Sequence, residues 1–296
     1  MKASIRKTAI LFLFWGIFCG TSGLGSQGLL DELDVMSEPA NEWVRATFKD
    51  TRIVNAQSNE TPAAGMLHFV IAHRFGQISD GIYTLWGLDN AWMRLGLDFG
   101  INDRLAVGLA RSTFQKTLEA NVKAKLIRQS TGSVNFPLSV TWYSVGMMNG
   151  LRWEEERENL FSSRLSYVHQ LILTRKMGSD LSLACIPSIT HRNLVPSDAV
   201  PHDVLTLGLG GRYKLNNRLS INGEWHPFIS EKPHPEAIPS LSLGFDIDTG
   251  GHVFQLHVTN ARGMFERAFL TEAAGRWLDG DLYFGFNLSR SFALKS

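Results

Sequence analysis

Nine histidines and a set of charged residues at alternating positions are the groups in this sequence that could do chemistry. His68, His73, His169, His191, His252 and His257 fall on segments that read as strands, at irregular spacing. A zinc hydrolase of the HExxH type needs two histidines one helical turn apart. Haem attachment needs CxxCH, and thiol redox chemistry needs CxxC. None of these patterns occurs. A serine activated by a histidine can cleave lipid esters. Ser162, Ser163, His169 and His257 are available for that role, but nothing in their spacing selects them. The sequence therefore assigns no catalytic, cofactor-binding or metal-binding residue, and no cofactor is expected. Gly208, Gly210 and Gly211 precede no helix, so they read as close strand packing and not as a phosphate loop.

The charged residues are more telling because of where they alternate. In Ser240–Asn260, Leu241, Leu243, Phe245 and Ile247 take one parity, and Ser242, Gly244, Asp246 and Asp248 take the other. After Thr249-Gly250-Gly251, Phe254, Leu256 and Val258 alternate with Gln255, His257 and Thr259. A period of two around a Gly-Gly turn is a β-hairpin with one oily and one polar face. Two carboxylates and an imidazole on the polar face do not suit a packed soluble core. They suit a barrel that is oily outside and polar inside. Extending the same parity along the chain gives a lumen lined by Arg94, Asp98, Glu119, Lys123, Lys125, Arg212, Lys214, Glu224, Asp246, Asp248 and His257. The signs nearly balance, and such charges tune ion preference in a channel wall.

The period-two segments that carry these residues number about twelve. They begin at Met66–Phe75 and continue through Met93–Ile101, Leu105–Ser112, Thr117–Arg128, Phe136–Ser144, Ser163–Arg175, Leu181–Leu194, Asp203–Leu215 and Leu219–Trp225. The Ser240–Asn260 hairpin supplies two more, and Leu282–Phe292 closes the set. Tight turns at 102–103, 178–180, 216–217 and 249–251 alternate with longer links at 76–92, 145–162, 195–202, 226–239 and 261–281. The links at 113–116 and 129–135 break the rule by being alike in length. Short periplasmic turns and long outer loops are the pattern of outer-membrane barrels. With the N-terminus inside, Phe75, Trp92, Trp142 and Trp225 fall at outer strand ends, and Phe99, Phe136, Tyr213 and Phe292 at inner ends. Two such aromatic girdles suit the membrane interfaces.

The fold class is thus all-β, a closed antiparallel transmembrane barrel over residues 65–296. Residues 1–23 read as a signal peptide, with Lys2, Arg6 and Lys7 before the apolar run Ala9–Phe18. Residues 24–64 read as a periplasmic lead-in, and Val44–Asn55 as a lumenal segment in preference to an extra strand, because the count is even without it. The formal charge is +1, or 26 − 28 = −2 once three basic leader residues are removed, so no nucleic-acid partner is implied. Cys185 would stand alone after export, which leaves no internal disulfide. The partners expected are outer-membrane lipid, the barrel-assembly machinery reading an aromatic near Phe292, and a periplasmic protein docking on Gln27–Asn55. The acidic Trp153–Asn159 reads as a solvated outer loop.

Several stretches also carry a family likeness. They include HRFG at 73–76, MRLGLDFG at 93–100, SVTWYS at 139–144, TGGHVFQLHVTN at 249–260 and GRWLDGDLYFGFN at 275–287. Over about Thr47–Phe292 the chain resembles an uncharacterised bacterial outer-membrane β-barrel family, domain of unknown function 5777. The resemblance implies a barrel in the outer membrane and no activity, so it transfers no functional residue. The functions left open are a porin-like passive channel for small polar solutes or ions, a non-conducting structural or lipid- or partner-binding barrel, and a barrel lipid hydrolase.

Overall fold

In the computed structural model, residues 41–152 and 158–294 are described. The 1–23 leader, Cys19, the acidic stretch before Asn41 and most of Trp153–Asn159 lie outside them. Two short strands, β1 (Glu42–Trp43) and β6 (Ser130–Thr131), pair with each other. The other twelve are β2 (Met66–Gln77), β3 (Ala91–Asn102), β4 (Leu105–Ser112), β5 (Leu118–Ile127), β7 (Ser139–Met148), β8 (Leu165–Lys176), β9 (Leu181–Arg192), β10 (Asp203–Lys214), β11 (Leu219–His226), β12 (Ser240–Asp248), β13 (Val253–Thr259) and β14 (Tyr283–Ala293). Each pairs antiparallel with its neighbour in sequence, and β14 pairs with β2 to close the cylinder. A closed ladder leaves no strand edge, which is what lets a sheet cross hydrocarbon. Among the described residues no helix is long and apolar enough to span a membrane.

The alternation sets the two faces. On β3, Leu95 and Leu97 are exposed while Arg94 is buried, and on β12, Leu243 and Phe245 are exposed while Ser242 and Asp246 are buried. An outer wall of exposed leucines and phenylalanines would be a large apolar patch in water, and it is the lipid-facing band of a barrel. One end carries the tight connections and both ends of the barrel's chain; the other carries the links at 78–90, 113–117, 149–164, 193–202, 227–239 and 260–282. At the turn end, 128–138 is long for a structural reason: it carries β6, which holds β1.

Three sequence expectations change. The seventh strand does not stop at Ser144 but runs from Ser139 to Met148, with Val145 and Met147 buried inside the barrel. Those inward apolar residues blur the alternation and made the strand look shorter. Trp142 therefore lies toward the turn end of its strand, opposite Leu171, and does not join an outer girdle. Phe136 lies in the turn-end connection, bridged to Ser130, and not on a strand.

Candidate functional site: a lumen closed from both ends

Twelve strands enclose more room than their own side chains fill. Here two chain segments occupy it. From the turn end, residues 47–59 enter as a strap, fold back in a turn (Ile53 N–H to Ala56 O, 2.8 Å; Ser58 N–H to Thr51 O, 2.9 Å) and leave toward β2. From the loop end, the 260–282 connection dips in with a short helix, α1 (Glu266–Thr271). Phe265, Phe269 and Leu270 of that connection are fully buried. They pack with Val145 and Met147 of β7, Val168 and Ile172 of β8, and Ala184 and Ile186 of β9. One side of the lumen is thus an apolar core, where each buried side chain contributes about 1.5–3 kcal/mol.

The opposite side is polar and grips the strap. Glu224 on β11 accepts the N–H groups of Val54, Asn55 and Ala56 at 3.1, 2.8 and 3.0 Å. Three donors on one buried carboxylate satisfy its oxygens without a bound cation. Asn55 Nδ2 donates to Ser242 Oγ at 2.9 Å, and Gln255 and Asn287 donate to the Ile53 and Val54 carbonyls. Gly210 matters because its missing Cβ is where Ile53 sits: a Cβ there would lie 2.6 Å from Ile53 Cδ1.

The strap and the loop meet in mid-lumen. Arg52 Nη2 and Gln57 Nε2 both donate to Glu266 Oε1, at 2.9 and 2.8 Å. Arg74 of β2 bridges the two, donating to Asn55 Oδ1 at 2.8 Å and to the Ala261 carbonyl. Neither insertion moves without breaking polar contacts to the other.

The eleven residues placed in the lumen by parity sit as follows. Arg94 makes two bonds to Glu119, at 2.8 and 2.7 Å. Asp98 accepts from Asn121 at 3.3 Å. Lys123 Nζ donates to the carbonyls of Thr51 and Glu60, and Lys125 lines a cavity near the turn end. Arg212 donates to Ser220 Oγ and the Thr47 carbonyl, with Lys214 half-buried two residues on. Asp246 accepts from Gln255 at 2.7 Å, and Asp248 pairs with Lys49 at 2.8 Å. His257 Nε2 lies 3.1 Å from Arg74 Nη2. Most of these groups are spent on the strap or on one another. The residues that hold the closure together, Arg52, Asn55, Gln57, Arg74 and Glu266, were not singled out by the sequence. Arg74 could have been found, since it shares parity with the buried His68, Val70 and Ala72.

Of the serines and histidines weighed for ester chemistry, His257 is inside the lumen, and His169 faces outward with Nδ1 2.8 Å from Ser144 Oγ, not from Ser162 or Ser163. Among the described residues no side chain orients the other ring nitrogen of His169, and no cluster of three metal-ligating groups occurs.

Two carboxylates outside the strands tie the strap's hold to pH. Burial raises the Asp50 carboxyl, but His68, 2.7 Å away, with Ser289 and the Thr51 N–H, outweighs it and holds the group below its ordinary 3.8. Burial likewise raises Glu266, but Arg52 and Arg94 with the Gln57 amide hold it below its ordinary 4.5. Groups depressed in the folded state contribute stability above their ordinary values and lose it as pH falls through the depressed ones. The contribution of these two carboxylates to seating should therefore be constant from neutral pH down to about pH 5, then fade below about pH 4. Tryptic cleavage after Arg52 cannot be read at that pH, so the check is pepsin cleavage within 47–59. From about pH 5 to about pH 2 cleavage of the native chain should rise toward that of a variant with both groups as amides; a ratio between the two that does not change with pH would remove these carboxylates from the hold.

Residues 48–292 match the family described as "Membrane bound beta barrel domain", domain of unknown function 5777. No curated protein matches the chain. Solved structures with a similar fold include the NanC porin (9% identity, 77% of this chain and 100% of that chain, TM-score 0.49). The KdgM porin is another (11% identity, 77% and 99%, TM-score 0.47). Outer membrane phospholipase A from Escherichia coli is a third (9% identity, 78% and 91%, TM-score 0.40).

Proposed function

Because the chain belongs to the family of membrane-bound β-barrel domains called domain of unknown function 5777, we propose that it is an outer-membrane barrel acting as a gated, porin-like channel for small polar solutes or ions. The observation that carries this reading is the kind of contact that closes the lumen. The strap is held against β10–β14 and β2 mainly by hydrogen bonds and ion pairs; its apolar burial is confined to Phe48, Ile53, Val54 and Ala56. Polar contacts exchange readily for water, so a strap held this way can leave and return, and a polar wall behind it stays wettable. The α1 side, held by an apolar core, is the fixed part of the gate.

A second reading, a non-conducting barrel that holds lipid or a partner, draws on the same closure. A periplasmic partner docking on Gln27–Asn55 would have to use the stretch before Thr47 while the strap is seated, since Thr47–Asn59 is buried apart from the half-buried Lys49. The test is planar-bilayer recording of the full chain, where a closed baseline with brief openings is expected. A barrel that stays silent even after the strap is removed is not a channel.

A further inference from the structure

A cavity of about 330 Å³ opens at the turn end, between the strap and the wall of β5 and β7. Its charged lining is Arg45, Lys125 and Arg128 against Glu60 and Asp103. The two acids are engaged: Glu60 Oε1 accepts the Thr47 N–H at 2.9 Å and, at 3.5 Å, that of Phe48, and Asp103 Oδ1 accepts the Ala64 N–H at 3.5 Å. The cations are not. Among the described residues no carboxylate pairs with Lys125, Arg128 or the side chain of Arg45. Arg128 stacks on the Trp43 ring, 5.3 Å from its centroid, which fixes the guanidinium plane and leaves its N–H edge without a carboxylate. Ser139 and Thr141 add hydroxyls to the wall, and Thr61 adds one on the strap side; those of Thr61 and Thr141 make no hydrogen bond within the protein.

We propose that this cavity binds a small hydroxylated carboxylate, with Lys125 and Arg128 taking the carboxylate and the Ser and Thr hydroxyls taking the ligand's own. Three cations against two carboxylates leave the partly water-excluded pocket net positive, and cations not paired with a carboxylate select an oxyanion over a neutral molecule. The volume is at the low end for ligand pockets, which fits a single small metabolite and no polymer. The site goes beyond the channel reading and does not need an open lumen.

The test is isothermal titration of the full chain, folded in detergent, with sodium gluconate as the probe and glucose as its neutral counterpart. Gluconate should bind at least about tenfold more tightly than glucose, and more weakly as salt rises. Lys125→Gln and Arg128→Gln should each weaken gluconate binding about tenfold. Lys125→Arg should largely retain it, and Lys232→Gln, at an exposed loop cation, should leave it unchanged. Retention of the gel shift between unboiled and boiled samples confirms that each variant is folded. Equal affinity for gluconate and glucose, no binding up to about 10 mM, or full affinity in folded Lys125→Gln would overturn the proposal. Because heat and not current is read, a silent channel leaves the site standing, and a working channel does not rescue it.

Discussion

Deleting residues 44–61 should turn a mostly closed barrel into a steady conductor. The ladders of the cylinder run through β2–β5 and β7–β14 and use none of those residues, so the wall should survive. α1 should also stay, because its apolar partners on β7, β8 and β9 remain when Phe48, Ile53 and Ala56 of the strap are gone. What the deletion uncovers is the polar half: Arg212, Asn222, Glu224, Asp246, Gln255 and Asn287, all buried while the strap is seated. Such a surface fills with water, and its mixed charges give only weak preference for cations or anions. Single-channel recording at matched protein reads the change. An unaltered closed baseline in a variant that still shows the folded gel mobility would sink the gate.

Glu224→Leu should release the strap without removing it. The substitution takes away the acceptor for three buried N–H groups, and each orphaned donor costs about 1–3 kcal/mol. Some cost is recovered when the strap leaves and those groups meet water. Even about 3 kcal/mol of net loss raises the unseated population roughly a hundredfold. Arg52, which is buried when the strap is seated, would then be open to trypsin, and cleavage after it is the readout at neutral pH. Glu224→Gln keeps the shape and one carbonyl acceptor, so it should fall between the two. Cleavage no faster in Glu224→Leu than in the native chain would show that the carboxylate does not latch the turn.

How much of this could be read from residues alone depends on which face they occupy. The outer face was legible because lipid imposes one rule on it: every second residue must be oily, and Leu95, Leu97, Leu243 and Phe245 obey. The closed cylinder and its even strand number followed from that rule. The inner face obeys no single rule. Where it meets the strap it is polar, and parity finds it; where it meets α1 it is apolar, and parity fails, as at Tyr143, Val145, Met147, Val168 and Ile172. Those residues, apolar on both faces of adjoining strands, signalled a second packing partner inside. The partner was visible too, since Met264, Phe265, Ala268, Phe269 and Leu270 are an oily run in what otherwise reads as an outer loop. What no local pattern carries is the meeting of Arg52, Gln57 and Glu266, which are more than two hundred residues apart in the chain for both pairs.

The position of the strap also constrains how this protein is made. It lies immediately ahead of β2, and β2 is one side of the seam that β14 completes. That seam joins the first and last strands, the most distant pairing in the cylinder and the slowest kind to form. Until it zips, the interior is reachable through an open flank, and the strap can dock sideways onto β10–β13. Afterwards it can travel only along the axis. Biogenesis therefore favours loading the stopper before sealing the vessel, and once it is sealed the thirteen residues can leave and return only through the turn-end mouth, the path that gating would use.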